Sequence, residues 1–545
     1  MRMRFTLFIT TVVLLLPDMG LAQDGHHHGA PETLGRVTFT TSCKSAVQPQ
    51  FNRAVALMHS FQFQNAIEGF DAILATDPSC SIAYWGIALS NWGNPFFSGI
   101  KPPAQVERGF RALKQARAAP PKTERERAYV EAVAHLFTDA ANTDQQSRKL
   151  AYESALAALS AAHPEDTEAA IFYALALAAA ADPTDKTYAK QLKAGAILDK
   201  LFAQYPNHPG LAHYIIHAYD VPPLAARAIG AAHRYGEIAP STPHALHMPS
   251  HTFTRVGDWQ ASIDANQAAV ASARRAGQTP EELHASDYMV YAYLQTAQDN
   301  AAKLMVESAA QSFTRFDPSS PNTGAGSPAT AYFARAAIPA RYCLERQAWS
   351  DAAKLEAVSS PFPYTDAITY FARGLAGARL KDRAAALSAI NSLRKIREKL
   401  ANMNEAYWAN QVHIQQQEVS SWLAFADGDS QGALSGMGAA AEQEDQTEKS
   451  VITPGPLAPA RELLAELLLE LGRPAEALRE FETTLAKEPN RFRSLYGAAE
   501  AAKLAGDRQT AHMYFQTLLK MTARADKLGR QELTVALRWV RAQPE

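Results

Sequence analysis

Hydrophobic residues in this chain occur in helix-length stretches rich in alanine and leucine, separated by short polar breaks. The residues at 51–60 and 65–75 form the first pair of such stretches, and Asp77-Pro78 follows them as a break. The stretch at 169–178 has the same character, and runs of β-branched residues are few. This pattern predicts an all-α protein built from helical hairpins.

Four positions near the C-terminus recur at a fixed spacing. Ala465, Gly472, Ala477 and Phe481 are repeated 34 residues later as Ala499, Gly506, Ala511 and Phe515. In such a pattern the small residues let two helices approach, Gly ends the first helix, and Phe fills the seam. A period of 34 residues is that of tetratricopeptide (TPR) repeats. We therefore predict a TPR-like superhelical solenoid of helical hairpins.

The first 22 residues have the pattern of a secretory signal peptide. Two arginines precede an apolar run at 5–16, and small residues at 20–22 provide a cleavage site. We expect the protein to be periplasmic or secreted. No later segment is long and apolar enough to span a bilayer, so we expect no membrane-spanning helix.

Changes in composition suggest a division of the chain into five parts. These are the signal peptide at 1–22, an N-terminal polar segment at 23–50, a TPR-like solenoid with the histidines at 51–316, a linker or surface loop at 317–328, and a C-terminal TPR solenoid at 329–545. The polar segment contains three consecutive histidines at 26–28, a tract that can bind metal but is more often a disordered terminus.

Charge and cysteine content narrow the range of functions. Lys and Arg number 53 and Asp and Glu 55, for a net charge of −2, which argues against nucleic acid as a partner. The three cysteines are an odd number for an oxidising compartment. Cys43 and Cys80 flank the first hairpin and could form a disulfide, although connectivity cannot be read from sequence. Cys343 would then be a buried free thiol.

Histidines occupy matching positions in three successive segments, each of which begins at a proline. Pro209 precedes His213 and His217, Pro243 precedes His244, His247 and His251, and Pro280 precedes His284. The first two segments are 34 residues apart, and the third has Tyr288 where the others have a second histidine. The HxxxH pattern therefore keeps register with the helical repeat.

Residues four apart share one face of a helix, so each pair of histidines should point the same way. The first helices of successive TPR hairpins stand side by side, which would bring the three stripes to one cavity. Imidazoles on helices about 8–10 Å apart can converge on one ion, and copper or zinc suits such ligands. The predicted metal ligands are His213, His217, His247 and His251, with His244, His284 and Asp220 as further candidates.

Metal-dependent chemistry is a further hypothesis. If only three histidines bind, the ion keeps a position for water or substrate, and hydrolysis or oxidation becomes possible. The candidate catalytic residues are Glu168, Asp287 and Tyr288. Glu168 lies four residues after a proline, at the position that the histidines hold in the later repeats.

Two other interpretations of the histidines stay open. In the first, the groove binds a peptide, protein partner or small acid, as an adaptor of the cell envelope would. In the second, the histidines are core residues whose hydrogen bonds are satisfied. The metalloprotease motif is excluded, because its Glu does not follow the first histidine of the HxxxH pairs. Converging ring nitrogens would favour the metal, and rings spread along an open groove would favour a ligand.

Several strings resemble a family of exported bacterial TPR proteins. They are FNRAVALMHSF at 51–61, YWGIA at 84–88, HPGLAHYIIHA at 208–218 and PHALHMPSH at 243–251. The resemblance covers roughly 39–294, and the remainder is similar to generic TPR repeats. It implies the fold and export, and leaves the chemistry open.

Overall fold

The computed structural model describes residues 32–97, 101–139, 142–319, 324–527 and 529–542. Residues from Thr33 to Glu545 form one structural unit, and the predicted signal peptide lies outside the described residues. Every regular element in the described ranges is a helix. Of these helices, none has the length and apolar character needed to cross a membrane.

The chain begins with helices that pack in sequence order. They are α1 (Gln48–His59), α2 (Phe63–Thr76), α3 (Ala83–Trp92), α4 (Pro103–Ala118), α5 (Glu124–Ala134), α6 (Gln145–Ala162), α7 (Thr167–Ala179) and α8 (Ala189–Gln204). Side-chain caps fix several starts: Asp166, for example, accepts hydrogen bonds from the backbone N–H groups of Glu168 and Ala169 at the start of α7. Cys43 and Cys80 form a disulfide that joins the two ends of the first hairpin.

The histidine hairpins follow. They comprise α9 (Pro209–Ala218), α10 (Ile229–Ile238), α11 (Pro243–His247), α12 (Pro249–Val256), α13 (Trp259–Arg275) and α14 (Thr279–Gln295). Proline suits the first turn of a helix because the N–H that it lacks would have no helical partner there. One residue, Met248, separates the end of α11 from the start of a new helix at Pro249, so the predicted second histidine helix is divided there.

The rest of the chain continues the hairpin pattern. Its helices are α15 (Asp299–Thr314), α16 (Pro328–Leu344), α17 (Trp349–Ala352), α18 (Pro363–Arg379), α19 (Arg383–Asn402), α20 (Ala406–Ala426), α21 (Ser430–Asp445), α22 (Ala460–Glu470), α23 (Pro474–Lys487), α24 (Phe492–Ala505), α25 (Arg508–Met521) and α26 (Gln531–Ala542). Helix α14 packs on α16, so the packing continues across the segment at 317–328.

Each helix packs mainly on its neighbours in sequence, as in a solenoid. Gly472 and Gly506 end α22 and α24 with positive φ angles of 70° and 84°, a conformation that side chains with a Cβ disfavour. Phe481 and Phe515 are buried in the seams, as the repeat predicted. The all-α, TPR-like solenoid of helical hairpins is therefore confirmed.

Two longer-range contacts enclose the histidine helices. Helix α1 packs against α9, and α24 packs against α14. Arg491, just before α24, donates to the hydroxyl of Tyr291 at 2.9 Å, and the backbone N–H of Phe492, the first residue of α24, donates to Gln295 at 2.8 Å. The C-terminal repeats therefore pack against α14, the last of the histidine helices.

Candidate metal centre

Helices α9, α11, α12 and α14 carry six buried histidines, none more than 8 % exposed. The rings lie together because these helices belong to consecutive hairpins. They divide into two sets of three: His213, His217 and His244 form the first set, and His247, His251 and His284 form the second set. The division does not follow the helices, since His244 and His247 lie on the same short helix.

In the first set, ring nitrogens of the three residues all lie within 4.8 Å of one another. The Nε2 atoms of His213 and His244 are 3.2 Å apart. His217 stacks on Phe96 with 4.0 Å between ring centroids, and neither of its ring nitrogens has a hydrogen-bond partner among the described residues. Such a nitrogen is costly to bury unless something else binds it.

In the second set, ring nitrogens again lie within 4.8 Å of one another. The Nε2 atoms of His247 and His251 are 3.1 Å apart. His284 packs beside His247 with 4.5 Å between centroids, and its Nδ1 has no hydrogen-bond partner among the described residues.

Hydrogen bonds at Nδ1 fix the tautomers of His247 and His251. His247 Nδ1 lies 2.7 Å from Oδ1 of Asn266, whose amide nitrogen already donates to the Ser262 carbonyl. His251 Nδ1 lies 3.0 Å from the Asp220 carboxylate, which can only accept. Both Nδ1 atoms therefore carry the proton, and both Nε2 atoms present lone pairs to each other.

A hydrogen bond at Nδ1 fixes His213 in the same way. Its Nδ1 donates to the backbone carbonyl of His59 at 2.6 Å, which leaves Nε2 with a lone pair facing His244. Metal-binding histidines in proteins usually donate their other ring N–H to a carbonyl or carboxylate. Three of the six histidines show that arrangement.

Burial favours the neutral form of five of these rings. Loss of solvation lowers the pKa of His213, His217 and His247 well below the ordinary value, and neighbouring histidines lower each of them further. Burial also lowers the pKa of His251 to about 4 and that of His284 to about 3. At neutral pH the Nε2 atoms of His247 and His251 are therefore both unprotonated, and their lone pairs face each other.

The charged carboxylate of Asp220 binds His251, a member of the second set, at Nδ1. Burial alone would raise the pKa of Asp220, but Lys449, Arg255 and His251 hold it well below its usual range. Arg255 Nε donates to Oδ1 of Asp220 at 2.9 Å, while Oδ2 accepts from His251. Asp220 was predicted as a candidate metal ligand. In the structure it instead binds Nδ1 of His251.

A cavity of about 960 Å³ opens onto the site. His217, His244, His251 and His284 all line it. Val451 and Ile452, from the C-terminal part of the chain, contribute to the same wall. Both halves of the protein therefore form the space that meets the histidines.

Glu281 is a site residue that the sequence analysis missed. It lies in the first turn of α14, is 2 % exposed, lines the cavity, and its carboxylate lies 3.5 Å from Nδ1 of His244. Burial would raise its pKa, but His244, His284 and the backbone N–H of Gly326 lower it below the ordinary value. Its position three residues before His284, on the same helix face, could have identified it.

The three predicted catalytic residues lie in different surroundings. Glu168 accepts hydrogen bonds from Nε2 of His59 and of His208, both at 2.9 Å, in a separate buried cluster. Asp287 pairs with the buried Arg341 at 2.9 Å. Among the described residues, Tyr288 is the one of the three that contacts a histidine of the two sets. Its hydroxyl lies 3.2 Å from Nδ1 of His251 and donates to the Thr453 carbonyl at 3.1 Å.

The similarity of this chain to known proteins is distant. The chain matches no protein-family model and no curated protein sequence. A TPR protein from Parabacteroides merdae is similar at 13% identity over 55% of this chain and 98% of its own, with a TM-score of 0.28. The human IFIT1 dimer with m7Gppp-AAAA is similar at 11% identity over 81% of this chain and 90% of its own, with a TM-score of 0.36. At such scores neither structure informs on the site.

Proposed function

We propose that this protein binds a transition metal through its buried histidines. The ligands are His213, His217, His247 and His251 together with His244 and His284. Asp220 orients His251 by accepting a hydrogen bond from its Nδ1.

The single observation that carries the proposal is the contact between His247 and His251. Their Nε2 atoms are 3.1 Å apart, and both Nδ1 protons are engaged by oxygen acceptors. Two lone pairs at this distance repel each other unless a cation lies between them. Two nitrogens bound at roughly 2.0–2.1 Å to one tetrahedral ion are about 3.3 Å apart, which matches the observed spacing.

Copper and zinc are the proposed metals, because neutral imidazole suits both ions. We further propose that the protein acts in the periplasm or outside the cell. The Cys43–Cys80 disulfide supports an oxidising compartment, as does the signal-peptide pattern at 1–22.

Metal-dependent hydrolysis or oxidation is the enzymatic extension of this proposal. Its support is the cavity that reaches four of the six histidines. Glu281 is the carboxylate placed to accept a proton there, because it lines the cavity and Glu168 and Asp287 do not. The adaptor hypothesis is less well supported, because the rings converge instead of spreading along an open groove.

Metal analysis of untagged protein tests the proposal. Because the tract at 26–28 can bind metal itself, all proteins would carry Ala at these three histidines. We expect bound metal after mild supplementation, and less bound metal when His213 and His217, or His247 and His251, are changed to Ala. Circular dichroism checks folding, and His233→Ala, at an exposed histidine on α10, is the matched control. Metal-free protein after supplementation would refute the proposal.

A further inference from the structure

We propose that the site holds two transition-metal ions, one in each set of three histidines, as a pair with a common open face on the cavity. This inference rests on the proposed function and adds the number and arrangement of the ions.

Each set by itself has what one ion requires. Three imidazoles and an open fourth position are a common arrangement for a reactive metal in proteins. The shortest nitrogen pairs, at 3.2 Å in the first set and 3.1 Å in the second set, match two ligands of one ion. Six imidazoles exceed what a single four-coordinate ion binds, so one ion would leave buried ring nitrogens unpaired.

The two sets are in contact with each other. His217 and His251 have centroids 6.1 Å apart, and His244 and His247 have centroids 6.2 Å apart. Within the second set, His251 and His284 are already 6.0 Å apart. The spacing across the boundary is therefore close to the spacing inside a set, which places two bound ions next to each other.

The open positions of both ions face the same space. His217 and His244 of the first set and His251 and His284 of the second set all line the cavity. His213 and His247, in contrast, are held at Nδ1 by His59 and Asn266, neither of which lines it. A small ligand that enters the cavity can therefore reach both ions.

Glu281 provides charge at the boundary of the sets. Its carboxylate lies 3.5 Å from His244 of the first set, and it is three residues from His284 of the second set. Neutral imidazoles do not balance the charge of two divalent ions, and an ionised carboxylate on the cavity wall does so in part.

Copper titration with electron paramagnetic resonance (EPR) tests the pair. Metal-free, untagged protein with Ala at 26–28 would be loaded with Cu(II), separated from free metal, and its copper measured per chain. We expect two ions per chain, with a double-integrated EPR intensity below the copper content or a half-field transition from spin coupling.

Single-set variants separate the two ions. His217→Leu and His284→Leu remove rings that each have an unpartnered nitrogen, so both should fold. We expect each variant to bind one ion with an uncoupled, full-intensity spectrum, while His233→Ala behaves as the parent. One ion per chain in the parent, or two without coupling, would overturn the pair. No bound copper would instead refute the proposed function itself.

Discussion

At the scale of single residues, His217 differs most from an ordinary core histidine. It is 7 % exposed, its ring stacks on Phe96 and Phe61, and both nitrogens are unpartnered among the described residues. Burial of an unpaired polar group costs about 1–3 kcal/mol. His217 lies at the wall of the cavity, and a metal bound to its ring there would remove this cost.

We therefore expect His217→Leu to affect stability in opposite ways with and without metal. In metal-free protein the variant should be as stable as the parent or more stable, since it removes an unpaired buried group. With metal in excess, the parent should gain stability by binding, and the variant should gain less. Thermal unfolding with and without added metal measures both effects. A variant destabilised in the metal-free form would instead indicate a packing role.

The lowered pKa values of the histidines predict acid sensitivity. In the unfolded chain a histidine titrates near 6.5, whereas burial lowers the pKa of His251 to about 4 and that of His284 to about 3. Below pH 6.5 the unfolded state therefore binds more protons than the folded state, and stability falls as the pH falls.

The expected loss between pH 7.5 and pH 5 is about 2 kcal/mol for each such histidine in metal-free protein. Denaturant unfolding at several pH values measures it. The loss should be smaller in His217→Leu, because one buried titrating ring is absent. A stability that does not change over this range would contradict the assignment of neutral, desolvated rings.

At the scale of helices, the glycines that end α22 and α24 occupy the same position in successive repeats. Gly506 has a φ angle of 84°, and nothing lies within 4 Å of an added Cβ, so backbone conformation alone disfavours alanine there. We expect Gly506→Ala to destabilise the protein by about 1–2 kcal/mol. Gly438, inside α21 with equally open space, is the control: alanine there should stabilise by up to about 1 kcal/mol. Equal effects at both positions, measured by denaturant unfolding, would contradict this explanation.

The repeat allowed the helices to be predicted well, but not the division of the histidines. Proline at the first turn and a spacing of four located the stripes on α9 and α14. The assignment of His244 to the first set depends on the ring orientations along α11 and on the joint at Met248. The partners that fix the tautomers, His59 and Asn266, lie on other helices, and no sequence spacing links them to the histidines.

At the scale of the whole molecule, buried arginines tie the C-terminal part to the histidine helices. Arg341 on α16 is fully buried and donates to Asp287 at 2.9 Å and to the Gly455 carbonyl at 2.8 Å. This explains why Asp287, beside the histidines in sequence, serves the packing of the two halves. The sequence could not predict it, because the partner lies 54 residues away.

Loss of this arginine should therefore be severe. We expect Arg341→Ala to destabilise the protein by about 3–5 kcal/mol, because it leaves the Asp287 carboxylate buried and unpaired. Adding Asp287→Ala should restore part of the loss. Arg373→Ala, at an exposed site on α18, should change stability by less than about 0.5 kcal/mol. Additive effects of the two buried changes, in a double-mutant cycle by denaturant unfolding, would contradict the coupling.

The most direct test of the central claim is an anomalous diffraction map of crystals of metal-loaded, untagged protein, recorded at the absorption edge of the bound metal. We predict two peaks among the six histidines, each roughly 2.0–2.1 Å from ring nitrogens of one set. Metal found only elsewhere on the protein, with no peak between His247 and His251, would contradict the proposed metal site.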